Sequence, residues 1–125
     1  MWMTADYLKT RHQYGKPLAQ FQALQHRMSE MLVETEQARS ALYRALALWD
    51  DPVERPGAVS TAKVLISQGA RWVTSQGIQL HGGIGTTEEY AVGHHYKAAL
   101  TLEQRFGDSD WHLDRCDPMI DRQEV

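Results

Sequence analysis

Apolar side chains recur every three or four positions along most of the chain, and few stretches alternate as a half-buried strand would. Phe21, Leu24, Met28, Leu32, Thr35, Ala38, Leu42, Ala45 and Trp49 follow that interval, with Gln25, Arg27, Glu30, Glu34, Gln37 and Arg44 opposite them. This predicts one long amphipathic helix over roughly 20–50. After Gly57 the pattern repeats through Val59, Ala62, Ile66, Ala70, Val73, Gly77 and Leu80. Gly69 and Gly77 lie on that seam, where a missing side chain permits close approach of a neighbouring helix. A further helix is expected to start at Thr86 or Thr87. Thr86 and Glu89 fit a capping box there, and Val92, Tyr96, Ala99, Leu102 and Phe106 form the apolar stripe. Trp2 to Gln13 also reads as helix, but it has no N-terminal cap and begins as if in mid-helix.

Punctuation falls at Gly15-Lys16-Pro17, at Asp50-Asp51-Pro52 with Arg55-Pro56-Gly57, at Gly82-Gly83-Ile84-Gly85 and at Gly107-Asp108-Ser109-Asp110. The expectation is an all-α, up-down four-helix bundle whose first helix is truncated. With 125 residues this is one domain, 1–125. A formal net charge of −3 gives no reason to expect a nucleic-acid partner. No apolar run reaches the length of a membrane span, and the lone Cys116 excludes an internal disulfide framework. A cytoplasmic location is the expectation.

The candidate chemistry is ambiguous when each motif is taken alone. Gly82-Gly83-Ile84-Gly85 before Thr86-Thr87 has the form of a phosphate-binding turn at a helix N-terminus. It equally has the form of a helix–helix turn whose glycines supply positive φ, and composition alone favours the turn. Arg11 closes the first helix, where it either offsets the helix dipole or pairs with a phosphate. His81, His94, His95 and His112 invite a metal. However, adjacent His94 and His95 diverge by about 100° on a helix, and no metal site is expected. Asp108-Ser109-Asp110 near His112 and Asp114 reads as a polar loop with a helix cap at Ser109 or Asp110.

The motifs change meaning in combination. Arg11, Tyr14, Gly15 and Pro17 are followed by Phe21, Gln22 and Gln25, then by Ala38-Arg39. Gln79, Gly82, Gly83, Gly85, Glu89 and Tyr90 come later. This order and separation resembles the C-terminal helical domain of the acyl-CoA dehydrogenase flavoproteins, over nearly the whole chain. The resemblance implies a bundle that lacks the N-terminal helical and middle β-domains, contacts FAD and joins subunits. It implies that Arg11, Gln13 and Tyr14 line the ADP portion of a neighbouring subunit's FAD, with Gln22 assisting. Gln79 and Gly83 would touch the same cofactor. It also implies α,β-dehydrogenation of an acyl-CoA thioester in lipid degradation, with an electron-transfer acceptor.

One block departs from the family. Arg105-Phe106-Gly107-Asp108 stands where the family usually has Tyr-Glu-Gly-Thr, so the usual catalytic glutamate is Phe106. Asp108 falls where a threonine usually contacts the cofactor. No catalytic residue is assigned. Either the base lies on the first bundle helix, upstream, or the chain is the non-catalytic half of a heteromeric enzyme. The run 106–113 resembles the tail of two-subunit dehydrogenases acting on dicarboxylic or steroid side-chain CoA thioesters. The chain alone is expected to be inactive. It is also expected to self-associate through apolar surface that includes Trp2, Phe21 or Trp72, as a homo-oligomer or a subunit of a heteromer. The rival expectation is a stand-alone helical scaffold derived from the same fold.

Overall fold

A computed structural model describes residues 1–88 and 90–120, with side chains described through Cys116. Five helices are present in the described residues: α1 (Trp2–Thr10), α2 (Gln22–Ala47), α3 (Arg55–His81), α4 (Ala91–Glu103) and α5 (Ser109–Ile120). α3 is the central rod. α2 and α4 both run antiparallel to it, α5 packs beside it, and α1 crosses its C-terminal end. Arg27 Nη1 donates to Gln76 Oε1 at 2.9 Å near one end of the α2–α3 pair. Ala41 and Ala45 meet Ala58 and Ala62 at the other.

A Cβ on Gly77 would lie 2.9 Å from Val92 Cγ2 of α4, so the missing side chain sets the spacing there; one on Gly69 would lie an ordinary 3.6 Å from the Glu34 carbonyl of α2, so the expected need for glycine does not hold at that position. Leu8, Met31, Val73 and Leu80 form the core under α1, with Trp72 packed against it. Trp72 is therefore partly buried, not free apolar surface, whereas Trp2 is exposed.

Several expectations need correction. α1 ends at Thr10, not Gln13, because the chain turns into a short hairpin. β1 (His12–Gln13) pairs antiparallel with β2 (Lys16–Pro17), and the turn residues Tyr14 and Gly15 have φ of 54° and 78°. Two positive-φ residues in a two-residue loop match the right-handed twist of a hairpin, and Gly15 permits it. α2 keeps Phe21, Leu24, Met28, Thr35, Ala38 and Ala45 of the expected stripe buried or half-buried, but Met31, Ala41 and Leu48 take the inner places expected of Leu32, Leu42 and Trp49, which are exposed.

α4 begins at Ala91, not Thr86. Thr86 Oγ1 donates to the Gly83 carbonyl at 2.8 Å inside a 3-10 turn, Gly82–Thr86, and so does not cap a helix. Its expected partner Glu89 lies outside the described residues. Phe106 is beyond the end of α4 and is 87% exposed, so it is no part of that helix's stripe. The four-helix expectation also omitted α5, whose cap is Asp108 rather than Ser109 or Asp110: Asp108 Oδ1 accepts the Trp111 N–H at 2.9 Å.

Candidate functional site

The hairpin after α1 and the turn after α3 meet at one end of the bundle. Arg11 caps α1, its N–H donating to the Tyr7 carbonyl at 2.8 Å, and its own carbonyl accepts from Leu18 N–H at 2.8 Å. These bonds pin both ends of the hairpin. Arg11 and Gln13 then face Gln79 and Gly83 across a cleft of about 440 Å³. Beneath it, the buried His81 ring stacks on Tyr7 with centroids 4.4 Å apart and meets Tyr90 edge-on at 5.5 Å. His81 Nδ1 donates to the Gly77 carbonyl at 2.7 Å, and Tyr7 Oη donates to the His81 carbonyl at 3.3 Å. The aromatic trio thus ties α1, the end of α3 and the residue before α4 into one wall.

The glycines divide by role. Gly82 has φ of 67°. A Cβ on Gly85 would lie 2.7 Å from the Ile78 carbonyl. Neither reason applies to Gly83, where an added Cβ would meet nothing within 4 Å and which leaves bare backbone beside Arg11. A guanidinium, two amides and an open strip of backbone suit a phosphate-bearing ligand such as the ADP end of FAD. The source of positive charge differs from the expected one, however. The glycine turn lies at the C-terminal end of α3, where helix carbonyls disfavour anions, and α4 starts only at Ala91. Among the residues lining this cleft, Arg11, not a helix N-terminus, carries the positive charge.

Tyr14, 89% exposed on the hairpin turn, does not line this cleft and meets Phe21 edge-on at 6.2 Å. Gln22 is exposed at the first position of α2 and also stands outside it. Asp108 lines a different and larger cleft, about 1060 Å³, together with Glu34, Arg71, Glu103 and Asp110. There Glu103 Oε1 accepts from Ser109 Oγ at 3.2 Å, and its other oxygen lies 4.0 Å from Arg71 Nη1.

The turn that carries Asp108 is held from below. Phe106 and Gly107 have φ of 61° and 91°. His112, 4% exposed, donates from Nε2 to the Phe106 carbonyl at 3.0 Å, and its Nδ1 lies 3.0 Å from the buried Ser60 Oγ. A carbonyl can only accept, so Nε2 carries the proton and Nδ1 accepts from the Ser60 hydroxyl. The sequence pattern suggests metal and acid–base roles for His112 and misses this one, because its partner Ser60 lies on another helix with no spacing signal. Among the described residues no group of three His, Cys, Asp or Glu gathers as a metal site.

Residues 2–116 match the profile of the acyl-CoA dehydrogenase C-terminal domain. The chain belongs to the acyl-CoA dehydrogenase family. Acyl-CoA dehydrogenase IpdE2 of Mycolicibacterium smegmatis is 32% identical over 120 residues, covering 94% of this chain and 36% of that protein. Butyryl-CoA dehydrogenase from Megasphaera elsdenii superposes with a TM-score of 0.89 at 29% identity, over 94% of this chain and 30% of that one. An FAD complex of PigA gives a TM-score of 0.89 at 27% identity, over 98% of this chain and 32% of that one. The chain therefore spans about a third of the length of these relatives. It has the all-α fold of that family's C-terminal domain, and these relatives are dehydrogenases by name.

Proposed function

We propose that this domain holds the ADP end of an FAD shared between subunits of an acyl-CoA dehydrogenase and takes part in assembling those subunits. The observation that carries this reading is the convergence of Arg11, Gln13, Gln79 and Gly83 on one cleft. These residues come from two segments far apart in the sequence, the hairpin after α1 and the end of α3. Arg11 neutralises pyrophosphate charge, Gln13 and Gln79 offer amide hydrogen bonds, and Gly83 lets the ligand approach the backbone. Tyr14 and Gln22, which lie outside the cleft, act on the cofactor across the subunit boundary. Asp108 meets a different portion of it from the larger cleft.

The parent reaction is α,β-dehydrogenation of an acyl-CoA thioester, in cytoplasmic lipid degradation, with electrons passed to an electron-transfer acceptor. FAD held at its ADP end by Arg11, Gln13, Gln79 and Gly83 would supply the hydride acceptor for that reaction. Phe106 has no atom that can take the α-proton. Asp108 Oδ1 is engaged by the Trp111 N–H, and Glu103 is engaged by Ser109. The base therefore comes from outside the 105–108 turn, from the first bundle helix or a partner subunit. Among the described residues no helix is long and apolar enough to cross a membrane.

The test is reconstitution with separately produced N-terminal and β-domains of an acyl-CoA dehydrogenase. The mixture is expected to retain FAD through gel filtration, and Arg11→Ala is expected to release it. The 125-residue chain alone is expected to show no dehydrogenase turnover. Turnover by the chain alone, or FAD retention indifferent to Arg11, would overturn the reading.

A further inference from the structure

His81 is the last residue of α3 and one of those lining the Arg11 cleft. It is 3% exposed, and the cofactor reading gives its side chain no task. Nδ1 donates to the Gly77 carbonyl at 2.7 Å, which fixes the tautomer, because a carbonyl can only accept. The basic lone pair is therefore on Nε2. That atom is buried and has no hydrogen-bond partner among the described residues. A purely structural histidine is expected to satisfy both nitrogens, as His112 does with Phe106 and Ser60.

The surroundings of the ring suit a positive charge that a ligand brings. From α1, Tyr7 stacks on it with centroids 4.4 Å apart, and from the segment before α4, Tyr90 meets it edge-on. A tyrosine face attracts a cation within about 6 Å. Arg11, just after α1, shares the cleft and is permanently charged, so it cannot respond to pH. None of the described lining residues is a carboxylate, so none of them offers an anion to a proton on Nε2. A pyrophosphate held by Arg11 is that anion, because a negative charge nearby favours the charged form of a base. We propose that His81 is a second cation of this cleft, one that forms on binding: the ligand's pyrophosphate draws a proton from solvent onto Nε2. This rests on the reading of the cleft as a pyrophosphate site and deepens it. By linkage the ligand binds more tightly as pH falls. The gain is lost as pH rises through the range in which the bound imidazole releases its proton.

The test uses the 125-residue chain and ADP-ribose, whose pyrophosphate is esterified at both ends and does not itself titrate near neutrality. Ring-nitrogen NMR at about pH 7 is expected to show His81 Nε2 passing from its unprotonated to its protonated signature as ADP-ribose saturates the cleft. That readout needs no variant. The Kd for ADP-ribose is expected to tighten at least about threefold between about pH 8 and about pH 6. His81→Phe keeps a ring for Tyr7 to stack on and loses Nε2, and its Kd is expected to be the same at both pH values. Three results would overturn the proposal: an Nε2 signature unmoved by saturating ADP-ribose, a Kd independent of pH in the unmodified chain, or a pH dependence that survives in His81→Phe. The last would assign the effect to the exposed His12 beside Arg11. Each of these leaves the cofactor reading standing, since ADP-ribose still binds. Failure of ADP-ribose to bind at either pH overturns that reading and this inference together.

Discussion

Gly83 and Gly85 are near neighbours in one turn and are glycine for different reasons. A Cβ at Gly85 would collide with the Ile78 carbonyl at 2.7 Å and His81 Cβ at 2.9 Å, so Gly85→Ala should destabilise the domain by about 1–3 kcal/mol in urea denaturation. A Cβ at Gly83 meets nothing within 4 Å, and Gly83→Ala should stay within about 0.5 kcal/mol of the parent while weakening ADP binding. Equal losses from both would mean that Gly83 is structural. His112 makes a comparable contrast. His112→Leu leaves the buried Ser60 hydroxyl and the Phe106 carbonyl without their partner and should cost about 2 kcal/mol. His112→Gln keeps an N–H donor of similar reach and should lose less, with the Gly107 amide resonance staying closer to its parent position. Arg11 and Gln79 could be singled out as candidates from the sequence because their neighbours form dense motifs, and the fold brings both to one cleft. The Ser60–His112 pair could not be, because nothing local links two residues that only the packing of α5 on α3 brings together.

Helix ends govern the element scale. Lys63, from α3, donates Nζ to the Leu102 and Glu103 carbonyls at 3.2 and 2.8 Å and so caps the last turn of α4 with a positive charge. Lys63→Met should cost about 1–3 kcal/mol and should speed hydrogen exchange most in the last turn of α4. The link between α2 and α3 depends on Asp51, whose carboxylate accepts the Glu54 and Val53 N–H groups at 3.1 and 2.9 Å. Those two bonds, Glu54's first, hold its carboxyl below the usual carboxylate range. A depressed folded-state pKa means that its contribution is present above the ordinary carboxylate pKa and is lost as pH falls through the lowered value. Asp51→Asn should therefore lower the urea midpoint at neutral pH and make no difference in strong acid. The long helices were legible from periodicity alone, and Gly77 marked a close approach, whereas Gly69 did not. The edge of the buried face of α2 was not legible. Its outer side also carries Leu32, Val33, Leu42, Tyr43 and Leu46, so periodicity could not choose Met31 over Leu32 or Ala41 over Leu42. The start of α4 was obscured because Thr86 has a capping residue's identity but spends its hydroxyl on the Gly83 carbonyl.

At the scale of the whole molecule, two of the clefts carry the candidate contacts. The smaller gathers Arg11, Gln13, Gln79 and Gly83, and the larger holds Asp108 with Glu103 and Arg71. The resemblance named all the candidate contacts, but only folding could sort them, because the hairpin sets Tyr14 outward while turning Gln13 into the cleft. The most direct measurement is an ADP titration of the isotopically labelled chain followed by NMR. The expected result is a saturable shift, in the millimolar range, of the Arg11, Gln13, Gln79 and Gly83 resonances that disappears in Arg11→Ala. Shifts confined to other residues, or shifts unchanged by Arg11→Ala, would contradict a phosphate-binding role for this cleft.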